Sequence, residues 1–261
     1  MYFKSGCGSN TILVFPAKLE VDVILKATNI TKKFGELKAV DDLSFDVQEG
    51  QVFGIAGPNG AGKSTVYNLI TGFYSYEGTI EFDGRKLTGL PPHRIAKTGI
   101  ARTFQIPQVF PSLTVQKSIS VGSRFGARGG LDPAHVDEVI RFVDLETERL
   151  QHTDLLNLLG KKKLMIGAAL ATKPKILLLD EPMGGCNAGE IRSLMDLIQR
   201  INKELGITII IIEHFMKVLT ELTEKLLIIE SGKEICCEAP EKVVNNPKVI
   251  ECYLGNSYAD S

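Results

Sequence analysis

The run Gly57–Thr65, with the sequence GPNGAGKST, contains the residue types that hold phosphate groups, and it matches the pattern GxxxxGK[ST] at every fixed position. Glycines let a backbone fold tightly around an anion, so successive N–H groups can point at the β- and γ-phosphates. Lys63 adds a positive charge, and the Ser64 hydroxyl can bind Mg²⁺. The run therefore predicts a nucleoside triphosphate site that consists of Gly57, Pro58, Asn59, Gly60, Ala61, Gly62, Lys63, Ser64 and Thr65.

The residues on either side of this loop have the pattern that such a site requires. Residues 52–56 are apolar and are typical of a buried strand, and residues 66–70 are typical of a helix. A helix that begins at the loop turns its positive N-terminal end toward bound phosphates. An ordinary glycine turn does not need this context, so we favour phosphate binding.

Two acids and a histidine follow two apolar runs further along the chain. Asp180 and Glu181 end the run that begins at Ile176, and His214 comes just after the run 208–212. In phosphate-loop enzymes the first carboxylate orients Mg²⁺, and a neighbouring acid can position or deprotonate the attacking water. The alternatives are a solvated acid pair and a histidine that closes a strand by a hydrogen bond. With the phosphate loop present, we favour catalysis for the acids.

Two more side chains are candidates only in combination with the others. Gln105 can complete a shell around metal and water, although a lone glutamine is usually a surface residue. Phe34 is predicted in a turn over residues 32–35, where its ring can stack on adenine, although core packing is the commoner role of phenylalanine.

Composition limits the classes of partner. The chain has 261 residues, a net charge of −1 and 44% hydrophobic residues, which are ordinary values for a globular protein. No global basic field favours nucleic acid, so we predict no nucleic-acid partner. The longest apolar runs, such as 209–212, are far shorter than a membrane helix. A role at a membrane must therefore come through partner subunits.

The order of apolar segments predicts an α/β fold. Continuous apolar runs at 176–179 and 208–212 are typical of parallel strands that are buried on both faces, and residues 191–201 between them have helical spacing. Ligands of such sheets bind at the carboxyl ends of the strands, where the candidate residues lie. Alternating patterns at 24–30 and 43–47 predict outer strands.

The remaining segments suggest how the chain is divided. A loop over residues 122–130 is predicted to separate helical stretches, one of them at 133–143, within a helical subdomain of about 112–172. Residues 1–22 are predicted to be an N-terminal extension of unknown role, and their apolar stretch is too short for a signal peptide. Residues 23–255 form the predicted nucleotide-binding domain, and residues 256–261 form a tail.

In sequence order, the candidate residues resemble those of an ATP-binding cassette subunit, over about residues 23–255. The resemblance implies a P-loop NTPase fold with a mostly parallel sheet core, an antiparallel β subdomain and a helical insertion. It implies ATP and Mg²⁺ as cofactors, with Ser64, Gln105 and Asp180 around the metal. Catalytic roles follow for Glu181, His214 and Gln105, and nucleotide contacts for Phe34 and Val40.

Five segments narrow the resemblance to the branched-chain amino acid importers of this family: 99–105, 110–115, 169–175, 212–214 and 245–255. The resemblance implies an ATP-hydrolysing subunit that powers import, with transmembrane permease subunits and a second ATPase subunit as partners. Such a subunit lies at the cytoplasmic face of the membrane and is held there by its partners. The alternatives are the ATPase of another transporter, for a different solute or a lipid, and a regulatory cassette that hydrolyses ATP poorly.

One motif departs from the family pattern. Where the family has LSGGQ, this chain has LNLLG at residues 156–160, so Asn157 replaces the serine. Leu159 replaces a glycine whose N–H approaches the phosphate on the opposite subunit, unless that role moves to Gly160. A side chain there weakens the close backbone approach. We therefore expect a heterodimer with a normal cassette, with a homodimer as the alternative.

Overall fold

A computed structural model describes residues 22–126 and 129–255 of the chain. Its strands are β1 (Val23–Phe34), β2 (Leu37–Gln48), β3 (Val52–Ala56), β4 (Glu77–Phe82), β5 (Arg85–Lys86), β6 (Ile100–Arg102), β7 (Ile176–Asp180), β8 (Thr208–Ile212), β9 (Lys225–Glu230) and β10 (Lys233–Glu238). Its helices are α1 (Lys63–Ile70), α2 (Pro92–Thr98), α3 (Val115–Phe125), α4 (Pro133–Phe142), α5 (Leu158–Leu170), α6 (Ala188–Leu205), α7 (Met216–Leu222), α8 (Pro240–Val243) and α9 (Pro247–Gly255), with a 3-10 turn at Thr153–Leu155.

A six-stranded sheet in the order β10-β9-β3-β8-β7-β6 forms the centre of the fold. Its strands are parallel except β10, which pairs antiparallel with β9. Every residue of β3, β7 and β8 is buried, which explains why these strands have continuous apolar runs in the sequence. The predicted parallel α/β core is confirmed, and the carboxyl ends of these three strands lie side by side.

A four-stranded antiparallel sheet in the order β2-β1-β4-β5 packs beside it. The two predicted outer strands are confirmed but are longer than their alternating patterns. Pairing of β1 with β2 continues through Lys32 with Val40 and Phe34 with Leu37. Phe34 is therefore the last residue of β1, and the turn lies at residues 35–36 and not at the predicted 32–35.

Helices α3, α4 and α5 lie within the predicted helical subdomain, whose boundaries stay a prediction. The predicted loop at 122–130 was wrong at its start, since α3 continues to Phe125. A Cβ atom at Gly122 would collide with the backbone oxygen of Ala168, which belongs to α5. This glycine therefore lets two helices approach each other, and does not form a turn.

Two of the segments predicted from the sequence, residues 256–261 and all but the last residue of 1–22, lie outside the described residues. Within residues 22–126 and 129–255, no helix has both the length and the hydropathy that a membrane span needs.

Candidate nucleotide site

The phosphate loop joins β3 to α1, as predicted. Gly57 and Gly62 have φ angles of 150° and 106°. A Cβ atom at Gly57 would collide with the carbonyl oxygen of Ile229, and one at Gly62 with that of Ala39. Only glycine fits these two positions, because the loop is pressed against β2 and β9.

Lys63 is the first residue of α1 and is buried. Its ammonium donates hydrogen bonds to the carbonyl oxygens of Gly57 at 2.7 Å and Pro58 at 2.9 Å. Burial lowers the pKa of Lys63, while the nearby carboxylates of Glu181 and Asp180 raise it. The loop therefore closes around a cation at the N-terminus of a helix, which is an arrangement that attracts phosphate.

Asp180 is the last residue of β7, and its carboxylate is buried. Its Oδ2 atom accepts a hydrogen bond of 2.8 Å from Nη2 of Arg102, so the two form a buried ion pair. Burial raises the pKa of Asp180, and the guanidinium partly offsets this by lowering it. Sequence reasoning missed Arg102, because nothing in the motif shows that its side chain reaches β7.

Glu181, Gln105 and His214 come together beyond the strand ends. The amide Nε2 of Gln105 donates a hydrogen bond of 2.6 Å to Oε2 of Glu181. Nδ1 of His214 lies 4.0 Å from the same oxygen. The three residues predicted to be catalytic therefore form one cluster, although the chain brings them from three separate segments.

Glu213 lies between β8 and this histidine and is fully buried. Its carboxylate accepts hydrogen bonds from the backbone amides of Met183, at 2.7 Å, and His214, at 3.2 Å. Burial is the main cause that raises the pKa of Glu213. The carboxylate ties the segment after Glu181 to the histidine, a role that the motif alone did not suggest.

A cavity of about 440 Å³ borders the end of the phosphate loop and Asp180. Ser64, Gln105 and Asp180, the three residues predicted around the metal, all line it. Hydroxyl, amide and carboxylate oxygens are hard ligands of the kind that Mg²⁺ prefers. The donor set therefore fits the predicted metal.

The two residues predicted to contact the adenine base, Phe34 and Val40, differ in exposure. Phe34 is exposed at the end of the β1–β2 hairpin, where its ring meets Tyr74 edge-on at 5.2 Å between centroids. The ammonium of Lys32 lies 5.1 Å from the same ring. Val40 is fully buried in the hydrophobic core, so its side chain has no exposed surface to offer a nucleotide.

The departing motif at 156–160 forms the start of α5. Asn157 is the N-cap residue, and its side chain accepts a hydrogen bond of 2.8 Å from the amide of Gly160. Leu158 is partly exposed, whereas Leu159 packs against the hydrophobic core. The Gly160 amide is thus used inside the cap, and apolar side chains occupy the two positions before it.

An apolar groove of about 520 Å³ lies between the central sheet and the helical segment. Phe104, Phe110 and Phe125 line it, with exposed fractions of 42%, 56% and 68%. Exposed apolar side chains that share one groove are typical of a surface that binds another molecule.

Residues 40–184 match the ABC transporter family. The chain belongs to this family. Membership identifies it as an ATP-binding cassette and an ATPase of ATP-driven transport, as the sequence predicted. Among solved structures, the ADP conformation of an ATP-binding cassette of an ABC transporter is 31% identical, covers 90% of this chain and 99% of that chain, and has a TM-score of 0.82. The predicted fold class is confirmed.

The match to this chain covers nearly the whole length of the curated relatives. The high-affinity branched-chain amino acid transport ATP-binding protein BraF of Pseudomonas aeruginosa is 34% identical, over 90% of this chain and 98% of that protein. LivG of Escherichia coli strain K12, which has the same description, is 32% identical over the same shares. A dimeric cassette with bound ADP and phosphate is 26% identical, covers 83% of this chain and 98% of that chain, and has a TM-score of 0.74.

Proposed function

We propose that this cassette is the ATP-hydrolysing subunit of an importer for branched-chain or related amino acids. The observation that carries the proposal is its similarity, over about nine-tenths of its length, to proteins named for that transport. The side chains of the phosphate loop and the cluster beyond β7 and β8 support the hydrolytic part.

Each part of the site has a distinct task in the proposed reaction. Lys63 and the loop amides hold the phosphates, and the exposed ring of Phe34 stacks on the base. Ser64, Gln105 and Asp180 would hold Mg²⁺, which neutralises phosphate charge.

The catalytic cluster acts on water and on the terminal phosphate. The Glu181 carboxylate orients the attacking water and accepts its proton. His214, whose Nδ1 lies 4.0 Å from the same carboxylate, would contact the γ-phosphate. Glu213 keeps both residues in place through its hydrogen bonds to neighbouring backbone amides.

We assign the groove lined by Phe104, Phe110 and Phe125 to the transmembrane permease subunits. An apolar groove of this size suits an apolar helix or loop of a partner. The groove begins next to Gln105, so a partner docked there lies beside the catalytic cluster. Through such partners the cassette would sit at the cytoplasmic face of the membrane.

We propose that the working assembly pairs this cassette with a related one that has a normal LSGGQ motif. The Gly160 amide donates its hydrogen bond to the Asn157 side chain within the same subunit. Leu159 lies at the position where the family pattern has a glycine whose N–H approaches the phosphate on the other subunit. The cassette would then contribute one complete site, on its own loop, and one weak site. A homodimer of this cassette would instead contain two weak sites. The second candidate function is therefore a cassette that binds ATP but hydrolyses it poorly.

The decisive experiment is transport by the reconstituted complex. The cassette is co-expressed with candidate permease subunits and a second cassette, purified, and placed in proteoliposomes. We expect ATP-dependent uptake of leucine, isoleucine or valine, and none with the Glu181→Gln cassette. ATP hydrolysis without uptake of these solutes, but with uptake of another, would replace the proposed substrate.

A further inference from the structure

Arg102 contacts the acid at the end of β7, helix α1 and the apolar groove, through Asp180, Asn68 and Phe104. It is the last residue of β6, and 9% of its side chain is exposed. Nη2 donates to Oδ2 of Asp180 at 2.8 Å, and Nη1 donates to Oδ1 of Asn68 on α1 at 2.6 Å. A planar guanidinium can hold both acceptors at once, which a lysine ammonium does less well.

Two aromatic rings contact the same guanidinium. Its central carbon lies 5.4 Å from the ring of Tyr67 and 5.1 Å from that of Phe104. The Tyr67 ring is fixed, because it is buried and its hydroxyl donates to the backbone oxygens of Ile210 and Leu179. The Phe104 ring is the contact that a partner can reach, since it is exposed in the groove.

The two cavities described above meet at this point. Arg102, Phe104 and Gln108 line both the cavity beside the phosphate loop and the apolar groove. A side chain that enters the groove would touch Phe104, and Phe104 touches the guanidinium that fixes one carboxylate oxygen of Asp180. Two contacts therefore connect the groove with Asp180: Phe104 with Arg102, and Arg102 with Asp180.

We propose that Arg102 is a positioning residue that orients Asp180 according to how Phe104 is packed, and so links the groove to the metal side of the nucleotide site. The proposal rests on the ATP and Mg²⁺ site and on the docking groove proposed above. Its physical basis is that one carboxylate oxygen is fixed by Nη2. Any shift of the guanidinium therefore turns the whole carboxylate.

Binding measurements on the full-length chain test the link without any transport partner. The dissociation constant of ATP is measured in MgCl₂ and in EDTA for wild type, Arg102→Lys and Phe104→Ala. Arg102→Lys keeps the positive charge but loses the planar group that donates to Asp180 and Asn68 at once. Phe104→Ala keeps the arginine but removes the aromatic ring beside it. We expect the gain in ATP affinity from Mg²⁺ to fall about fivefold or more in each.

Two further results must accompany this loss. ATP affinity in EDTA should stay within about twofold of wild type, because no phosphate contact is removed. The double variant should lose no more than Arg102→Lys alone, because both substitutions break one path. Electron paramagnetic resonance of Mn²⁺ bound with ATP should show a change in the metal environment in both single variants.

The chain offers a matched control for each substitution. Arg200, on α6, also pairs with a carboxylate, that of Asp144, and lies 4.7 Å from the ring of Phe142, but none of the three lines the cavity beside the phosphate loop. Arg200→Lys and Phe142→Ala should leave the effect of Mg²⁺ on ATP affinity unchanged.

The proposal is overturned if Phe104→Ala leaves the Mg²⁺ effect unchanged, if affinity falls equally in EDTA, or if the losses in the double variant add. Phe104 is exposed, so this arm remains valid even if Arg102→Lys folds poorly. A wild-type chain that binds no ATP, or binds it equally with and without Mg²⁺, would instead contradict the proposed site.

Discussion

The side-chain amide of Gln105 donates a 2.6 Å hydrogen bond to the carboxylate of Glu181, which joins the segment after β6 to the end of β7. Glu181 has a φ angle of 44°, and its own amide donates to the carbonyl oxygen of Ile212. The carboxylate proposed to act on water is therefore held by the glutamine proposed to serve the metal. A change at Gln105 must alter the position of Glu181.

Glu181→Gln should separate nucleotide binding from hydrolysis. The amide keeps the shape of the side chain but cannot accept a proton from water, so ATP turnover should fall about a hundredfold or more. ATP affinity should persist, and an ATP-bound dimer should accumulate. Radiometric phosphate release and size-exclusion chromatography measure the two effects. The exposed control Glu241→Gln should behave as wild type, and wild-type turnover in Glu181→Gln would refute the assignment.

Lys63→Ala should remove tight ATP binding. The substitution deletes the buried cation around which the carbonyl oxygens of Gly57 and Pro58 close. We expect the dissociation constant to rise about a hundredfold or more, measured by titration calorimetry. Lys203→Ala, at the exposed end of α6, is the matched control. A retained affinity would show that the loop amides suffice.

The parallel sheet and the phosphate loop could be predicted because their patterns are local. Continuous apolar runs identify β7 and β8, and the fixed spacing of Gly57, Gly62 and Lys63 identifies the loop. Arg102 could not be predicted, because its contact with Asp180 depends on β6 pairing beside β7, as Arg102 pairs with Leu178.

Gly122 illustrates the same limit. A glycine in a polar stretch favours a turn, and only the packing of α3 on α5 shows that it serves helix contact. Phe34 lies in a strand and not in the predicted turn, because the pairing of β1 with β2 continues beyond the alternating pattern. At Gly122 a contact that is distant in sequence outweighs the local signal.

Gly122→Ala should destabilise the fold. The added methyl group would collide with the backbone oxygen of Ala168, which cannot move without shifting α5. We expect a loss of about 1 to 3 kcal/mol in the free energy of unfolding, measured by urea denaturation. Gly189→Ala, where a Cβ atom meets only ordinary contacts, is the control. Equal stability of the two variants would mean that α3 and α5 can separate at no cost.

Glu213→Gln should change the pH dependence of stability. Burial raises the pKa of Glu213 in the folded state, so the folded chain binds this proton more tightly than the unfolded chain. Wild-type stability from this group is then lost as pH rises from about 4, the ordinary pKa of glutamate, through the raised value. Glutamine keeps a hydrogen-bond acceptor without the charge. The melting temperature of the variant minus that of wild type should therefore increase with pH, and a flat difference would contradict the argument.

Leu159→Gly should raise the ATPase activity of the isolated cassette if the altered motif limits turnover. In a homodimer of this cassette, each motif at 156–160 would face the nucleotide on the other subunit. Removing the side chain of Leu159 restores the close backbone approach that the resemblance implies at this position. The measurement is steady-state phosphate release as a function of protein concentration, because the gain depends on dimer formation.

Stability must be controlled in this experiment, since Leu159 also packs against the hydrophobic core. Leu159→Ala loses the same apolar contact but keeps a Cβ atom, so it should be destabilised without gaining full activity. A second test mixes the wild-type cassette with a related cassette that has an intact LSGGQ motif. Activity of the mixture should then depend on Glu181 of this chain, because the complete site lies on its own phosphate loop. Brisk hydrolysis by the wild-type homodimer, together with no gain from Leu159→Gly, would show that the motif works as it stands and that the two sites need not differ.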